Sequence, residues 1–483
     1  MPRSDLAVIG PLVYCESSAL NHPATQLPMS TPPLCAGRSQ SMTSLEQSQQ
    51  VEEDISSDRD FLQELLRVSE DDPTLILHHL EVSPACNSGD NYMSAVTRVR
   101  VRGSRKAGTL EGRWSLVLKR QPPKVSTREL LRTDPVFKNE TAAYSRVILS
   151  FERFSGDGED APRVPKCLHA NLAFRNDVIV LEDLQPAGFR MCDLAGGVGP
   201  RAQQTCATGA SEELARYHAL SLAMKLLEPE AFLRTRHQIR EVIFVQEAAH
   251  LFSPSLETAC KMAIGGLRIS ALQAGDDGGP LLLKAVKALE GQRGTIFNKM
   301  VGLVKPSEPF SVITHGDFWI NNILFRYKEE GGGRPAVEDV RLLDLQVARY
   351  CSPAIDILHF LYTSTFWDIR RRHYQELLRA YHQSLTAAFQ RLVRGSPHEG
   401  EVPMTLRELR REVTRCEMYG LFAGMWIMTA VTADVDNLPD VGSYRLEDFY
   451  SDESLANWIS TQTPSYRQRT KDLVLEYLDK GIL

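Results

Sequence analysis

Along this chain the spacing of apolar positions changes twice. From Asp58 the run DRDFLQELLRVSE repeats its apolar residues every three or four positions, which predicts a helix. Between about 80 and 183 the period drops to two: SAVTRVRVRG and RWSLVLKRQ alternate, and VIVLEDL is an apolar strand that runs out in acidic residues. Two helices interrupt this strand-rich stretch. STRELLR is predicted to open with a capping box, Ser126 to Glu129, and DPVFKNETAAYSRVILSF follows the Asp134-Pro135 break. Beyond 184 helical spacing takes over, through SEELARYHALSLAMKLLEP and on to about 300, and again from 354 to the end. The exception is 311–350, where two short strand pairs are predicted around ITHGDFWINNILF.

The resulting expectation is an α+β chain with two lobes. A small strand-rich N-lobe covers 58–183 and a larger, mainly helical C-lobe covers 184–483. Residues 1–57, rich in Ser, Pro, Thr and Gln without periodicity, are expected to be a disordered extension. This outline is that of a two-lobed nucleotide-dependent transferase.

Composition narrows the function classes. Lys and Arg total 55 against 61 Asp and Glu, with no basic stripe, so a nucleic-acid partner is not expected. The longest charge-poor run, YGLFAGMWIMTAVTA, stops at Asp434 and is short for a bilayer, so it predicts a buried helix and no membrane span. Nine cysteines, scattered from Cys15 to Cys416 without paired or metal-like spacing, fit a reduced, cytoplasmic protein.

The chemistry concentrates in the interrupted region. His315-Gly316-Asp317 and Asn322, five positions after the Asp, sit between apolar triplets that read as strands, so the polar groups lie on a loop held at both ends. Phosphoryl transfer calls for such a loop: Asp317 to accept or orient the proton of an attacking hydroxyl, and Asn322 to offer an amide oxygen to Mg²⁺. Asp344, at the end of the apolar run VRLLDL, is expected to be a second hard oxygen ligand. From the other lobe, Lys119 ends the strand WSLVLK and is positioned to reach the phosphates of ATP. Glu140 lies on the helical stripe of Val136, Ala143 and Val147, where a carboxylate needs a partner, and Lys119 is the candidate. The turn NSGDNYMSAV, with Asn91 and Ser94, could offer backbone N–H groups to phosphate oxygens. Glu182 and Leu184, where strand-rich gives way to helical composition, are expected at a hinge meeting the adenine edge. His218 and His315 read as structural, the latter bracing the loop, and Asp356 reads as a brace for the catalytic loop near the start of a helix. Trp319, Trp367 and Trp426 are core residues or the walls of an acceptor pocket.

The set GDNYMS, LVLK, FKNETAAY, VIVLEDL, LARYHALSLAMK, ITHGDFWINNILF and LLDLQ resembles the ecdysteroid kinase-like family, a branch of the protein-kinase-like fold shared with choline kinases and aminoglycoside phosphotransferases. The resemblance runs from about residue 60 to about 440. It implies Asp317 as catalytic base, Asn322 and Asp344 as Mg²⁺ ligands, and Lys119 with Glu140 as the phosphate-positioning pair. Phe318 stands where the family commonly has Cys, and DLQ replaces the more usual DFQ; neither removes a reactive group. The expectation is an ATP- and Mg²⁺-dependent kinase for a small-molecule hydroxyl. The short distance from Asp344 to Pro353 leaves little room for a peptide-docking segment. The family implies an ecdysteroid or similar steroid-like or xenobiotic alcohol as acceptor; a choline-like amino alcohol and a catalytically silent ATP-binding scaffold are the alternatives.

Overall fold

A computed structural model describes residues 58–85, 94–122, 124–156, 158–172, 177–192, 200–330, 334–431 and 450–483. The expected extension 1–57, Asn91 and the glycines 331–333 lie outside the described residues.

The alternating segments form one antiparallel sheet of five strands in the order β1-β2-β3-β5-β4. These are β1 (Ile76–Pro84), β2 (Ala95–Arg105), β3 (Leu110–Arg120), β4 (Cys167–Asn171) and β5 (Val178–Glu182). Period-two patterning sorts its side chains between two cores. Leu116, Leu118, Val178 and Val180 pack with Leu62 and Leu66 of α1 (58–69), whereas Ile179 and Leu181 join the large core of the rest of the molecule. In the ladder Leu118 pairs with Val180 and Lys119 with Ile179. Cross-strand partners share a face, so Lys119 is carried to the inner side of the sheet.

Helix α2 (Val125–Leu131) and then α3 cover that inner side; α3 runs as Thr133–Ala142, a π-helical turn Ala143–Ile148 and a last α segment Leu149–Ser155. Two boundary expectations change here. Lys124, not Ser126, occupies the N-cap of α2, with no side-chain cap, because Ser126 already lies inside the first turn. The break before α3 is Arg132, in the left-handed region at φ 51°, so Pro135 falls within the first turn, where its missing N–H costs nothing. On α3, Val136, Phe137, Glu140, Ala143, Tyr144 and Val147 form one buried stripe.

The larger part is helical. After the two-residue strand β6 (Arg190–Met191) come α4 (Pro200–Leu227), α5 (Pro229–Arg236), α6 (Ala249–Glu290, which bends at Gly275) and α7 (Ile296–Leu303). The two predicted strand pairs are present: β7 (Val312–Thr314) with β10 (Arg349–Cys351), and β8 (Ile323–Glu330) with β9 (Arg334–Leu342), to which β6 adds a third strand. Helices α8 (Ala354–Ser364), α9 (Trp367–Leu392), α10 (Leu406–Val431), α11 (Asp452–Ser460) and α12 (Pro464–Asp479) complete the lobe. Every residue of α8 is buried, so it is an internal post of the lobe. Residues 419–429 of the apolar run, in α10, are buried as expected, and no helix among the described residues is long and apolar enough to cross a membrane. The chain is thus an α+β, two-lobed kinase-like fold.

Candidate active site

The inner face of the sheet, α3 and the end of the β8–β9 hairpin converge on one cation. Lys119 Nζ lies 2.8 Å from Glu140 Oε2 and 2.9 Å from Asp344 Oδ1, with all three residues less than a tenth exposed. The glutamate that the helical stripe placed among apolar neighbours therefore has the partner its burial demands. Burial pushes the Glu140 carboxyl up to about 7, against the lowering effect of Lys119 and with a further upward push from Asp344.

Asp344 is held in the left-handed region at φ 63°, two residues past the end of β9. That conformation is rare for a residue with a Cβ and persists only where its surroundings impose it. The surroundings are identifiable. Leu343 N–H donates to the Asn322 carbonyl at 2.9 Å, continuing the ladder in which Ile323 pairs with Leu342. On the other side, Asn139 of α3 donates through Nδ2 to the Gln346 and Ala348 carbonyls at 3.1 and 2.9 Å and accepts the Arg240 N–H at 2.9 Å. Asn139 ties the Glu140 helix to the segment after Asp344 and to the helical lobe. The quoted motif FKNETAAY contains it, but a polar residue beside the stripe carries no mark of such a task.

The loop 315–322 runs alongside α8, hydrogen-bonded to it at two heights with a close approach between them. Asp356 Oδ2 and Oδ1 accept the His315 and Gly316 N–H groups at 2.6 and 2.9 Å; His359 Nε2 lies 3.3 Å from Asp317 Oδ1; Ser364 Oγ accepts the Ile320 N–H at 2.8 Å. Asp356 is thus the brace expected from its place at the helix start. Its carboxyl is fully buried, which alone would raise its pKa; hydrogen bonding and charge from His218, with the His315 side chain and the Gly316 amide, outweigh this and hold it below the usual range. His218, a satisfied core histidine, spans Asp356 at 3.1 Å and the Tyr381 hydroxyl at 2.8 Å. His315 contributes to the loop through its backbone, while its ring sits edge-on to Phe318 and burial lowers its pKa. His359 and Ser364 were missed from the sequence. The signal that could have found them is the i, i+3 and i+8 spacing from Asp356 on one helix.

Gly316 shows why the loop needs glycine. Its φ is +88°, and a Cβ there would lie 2.0 Å from the Val347 carbonyl oxygen. Beyond it, Asn322 Nδ2 donates to both the backbone oxygen and Oδ2 of Asp317, at 2.9 and 3.0 Å. That fixes the amide so that Asn322 Oδ1, fully buried, has no hydrogen-bond partner among the described residues. An orphaned buried oxygen beside the Asp317 carboxylate is a donor suited to a hard cation.

The other predicted residues are placed as follows. Ser94 is buried at the start of β2. Asp183, between the two hinge candidates, accepts Arg98 Nε at 2.8 Å and Ser115 Oγ at 2.6 Å, which locks the lobe connection to the sheet. Glu182 N–H donates to the Lys166 carbonyl and Glu182 Oε1 accepts the Lys166 N–H, while the Leu184 carbonyl closes a turn with Ala187 and Phe189. Trp319 is fully buried, and Trp426 is buried with its Nε1 on Ser255 Oγ at 2.7 Å. Trp367 lines a cavity of about 280 Å³ at the turn from α8 to α9, with Thr365, Phe366, Asp368 and Met428.

No curated protein sequence is significantly similar to the chain. Among solved structures that match is "Structure of the microcompartment-associated aminopropanol kinase", 13% identical over 85% of this chain and 94% of that one, with a TM-score of 0.34. A superposition that loose carries nothing about chemistry. The model of the ecdysteroid kinase-like family matches residues 88–394, a narrower span than the sequence motifs suggested, but one that contains Lys119, Glu140, Asp317, Asn322 and Asp344. The chain therefore belongs to the ecdysteroid kinase-like family, phosphotransferases acting on small-molecule alcohols.

Proposed function

We propose that this kinase uses ATP and Mg²⁺, with Asp317 as the base for the acceptor hydroxyl, Asn322 and Asp344 as metal ligands, and Lys119 held by Glu140 as the phosphate-gripping cation. One observation carries the reading: a lysine from the sheet and an aspartate from the helical lobe meet at 2.9 Å in a buried position, where a triphosphate would lie between the lobes. Asp317, fastened by Asn322 and faced by His359, is the carboxylate left to orient the hydroxyl proton. Magnesium held by Asn322, Asp344 and the phosphates would neutralise the charge that develops on the transferred group. The Leu184 amide is the hinge group we assign to the adenine edge, since the neighbouring Glu182 N–H and Leu184 carbonyl are already engaged. Ser94, with Asn91, is assigned to the phosphate turn.

The acceptor we favour is a bulky alcohol such as an ecdysteroid, on the strength of the family to which the chain belongs. The cavity begins one residue after Ser364, which holds the catalytic loop, and its apolar Phe366, Trp367, Ile369 and Met428 walls are interleaved with Asp368, Arg370, Arg469 and Asp472. Its aromatics already carry cations: the Arg469 guanidinium lies 4.8 Å from the Phe366 ring and that of Arg371 lies 4.9 Å from Trp367. Asp368 and Asp472 stand in the same lining and would draw an ammonium, so a choline-type amino alcohol is the second reading.

The test is incubation of purified protein with ATP, Mg²⁺ and a panel of ecdysteroids and amino alcohols, with products read by mass. Phosphorylation of an ecdysteroid by wild type and not by Asp317→Ala is the expected result. Equal labelling by the variant removes the base assignment, and labelling of amino alcohols alone removes the acceptor assignment.

A further inference from the structure

Two cysteines without paired spacing along the chain stand against each other. Cys192 ends the segment leaving the hinge, directly after β6, and Cys206 lies fourteen residues later in α4. Their Sγ atoms are 2.7 Å apart, well inside the roughly 3.5 Å at which non-bonded heavy atoms rest. Both residues are buried, and the Tyr327 hydroxyl of β8 lies 3.2 Å from Cys206 Sγ. Cys206 Sγ thus has two hydrogen-bond partners. The bond from Cys192, opposed by burial and helped by Tyr327, draws the Cys206 thiol below its usual range. Burial, with a smaller push from nearby glutamates, drives Cys167 and Cys260 up to about 12. A thiol whose pKa is lowered and which touches a second thiol is set to close a disulfide once an oxidant reaches it.

We propose that Cys192 and Cys206 form a reversible intramolecular disulfide when the protein meets a small hydroperoxide. The Cys206 thiolate attacks one peroxide oxygen. The O–O bond breaks, the leaving oxygen takes up a proton as an alcohol or water, and Cys206 becomes a sulfenic acid. Cys192 then loses its proton and attacks that sulfur; the S–S bond forms, the S–O bond breaks and water leaves. Two thiols give up two electrons and two protons, and the hydroperoxide is reduced. The oxidant has to be small because both sulfurs are buried.

The position gives the bond a consequence. Met191, next to Cys192, pairs with Leu324 of the catalytic hairpin, and α4 carries the His218 that backs Asp356. Oxidation therefore fastens the hinge exit and the hairpin to the helix behind the catalytic loop.

The experiment treats reduced full-length protein with hydrogen peroxide, quenches it in denaturant with N-ethylmaleimide and maps the peptides by mass. The expected product joins the Cys192 and Cys206 peptides at about 2 Da below their reduced sum. Dithiothreitol should reverse it, and Cys260 and Cys416 should be recovered alkylated. Closure of this loop should also raise the wild-type melting temperature by about 3 °C, an increase that Cys192→Ser lacks. Recovery of both cysteines as maleimide adducts overturns the proposal, as does Cys206 found as a sulfinic acid while Cys192 remains alkylatable. The peptide map is read on wild type and needs no kinase activity, so it stands apart from the acceptor test.

Discussion

Replacing Asp356 by alanine should loosen the catalytic loop without touching a group assigned to ATP or acceptor. The carboxylate is fully buried and takes three hydrogen bonds: His315 N–H at 2.6 Å, Gly316 N–H at 2.9 Å and His218 Nε2 at 3.1 Å. Alanine leaves two backbone donors and an imidazole facing a void. Each unsatisfied buried donor costs about 1–3 kcal/mol, so the total should fall near 3–5 kcal/mol, a large part of a typical domain's stability. Asparagine should do only partly better, because its NH₂ would confront one of the same N–H groups. The loop carries Asp317 two residues from His315, and a displacement of about 1 Å there should lower kcat by roughly 10²-fold. Urea denaturation at constant m-value measures the first effect, and turnover at saturating ATP the second. The sign with pH follows from the lowered pKa: the stability Asp356 supplies is present above its unfolded value of 3.8 and is lost as pH falls through the still lower folded value. An Asp356→Ala protein within about 0.5 kcal/mol of wild type, with wild-type kcat, would refute the bracing role.

Three further outcomes are expected. Asn322→Ala removes the orphaned buried oxygen and should raise the Mg²⁺ concentration for half-maximal activity by about 10-fold or more; an unchanged Mg²⁺ titration rejects it as a ligand. Gly316→Ala puts a Cβ 2.0 Å from the Val347 oxygen at a φ of +88°, and should cost at least about 2 kcal/mol in denaturation and lower kcat; a neutral result would mean that the loop has room to shift. Glu140, raised to about 7 from 4.5, supplies stability that is complete below pH 4.5 and lost as pH rises through about 7. Wild type measured against Glu140→Gln by thermal melting should lose ground across that window, and a flat difference contradicts the buried-carboxyl assignment.

How much of this was legible in the chain depends on the range of the interaction. The helices, the alternating strands and both short strand pairs follow from local periodicity, and Asp317 with Asn322 follows from two polar residues held between strands. Glu140 was legible because a charge on an apolar stripe is an anomaly that only a partner resolves. His359, Ser364 and Asn139 were not, since a polar residue on a helix looks the same whether it faces solvent or a catalytic loop. The boundary of α3 was misplaced by two residues because Pro135 is a breaker inside a helix yet harmless in the first turn.

By itself, then, the amino-acid order determined which elements form and which polar residues they carry, because hydrophobic period and turn chemistry act over a few residues. Only the tertiary structure decided that Lys119 and Asp344, 225 positions apart, share one buried ion pair, and that Cys192 and Cys206 touch. Those meetings depend on how the lobes pack, and packing is settled by the whole core at once, so no local pattern records it.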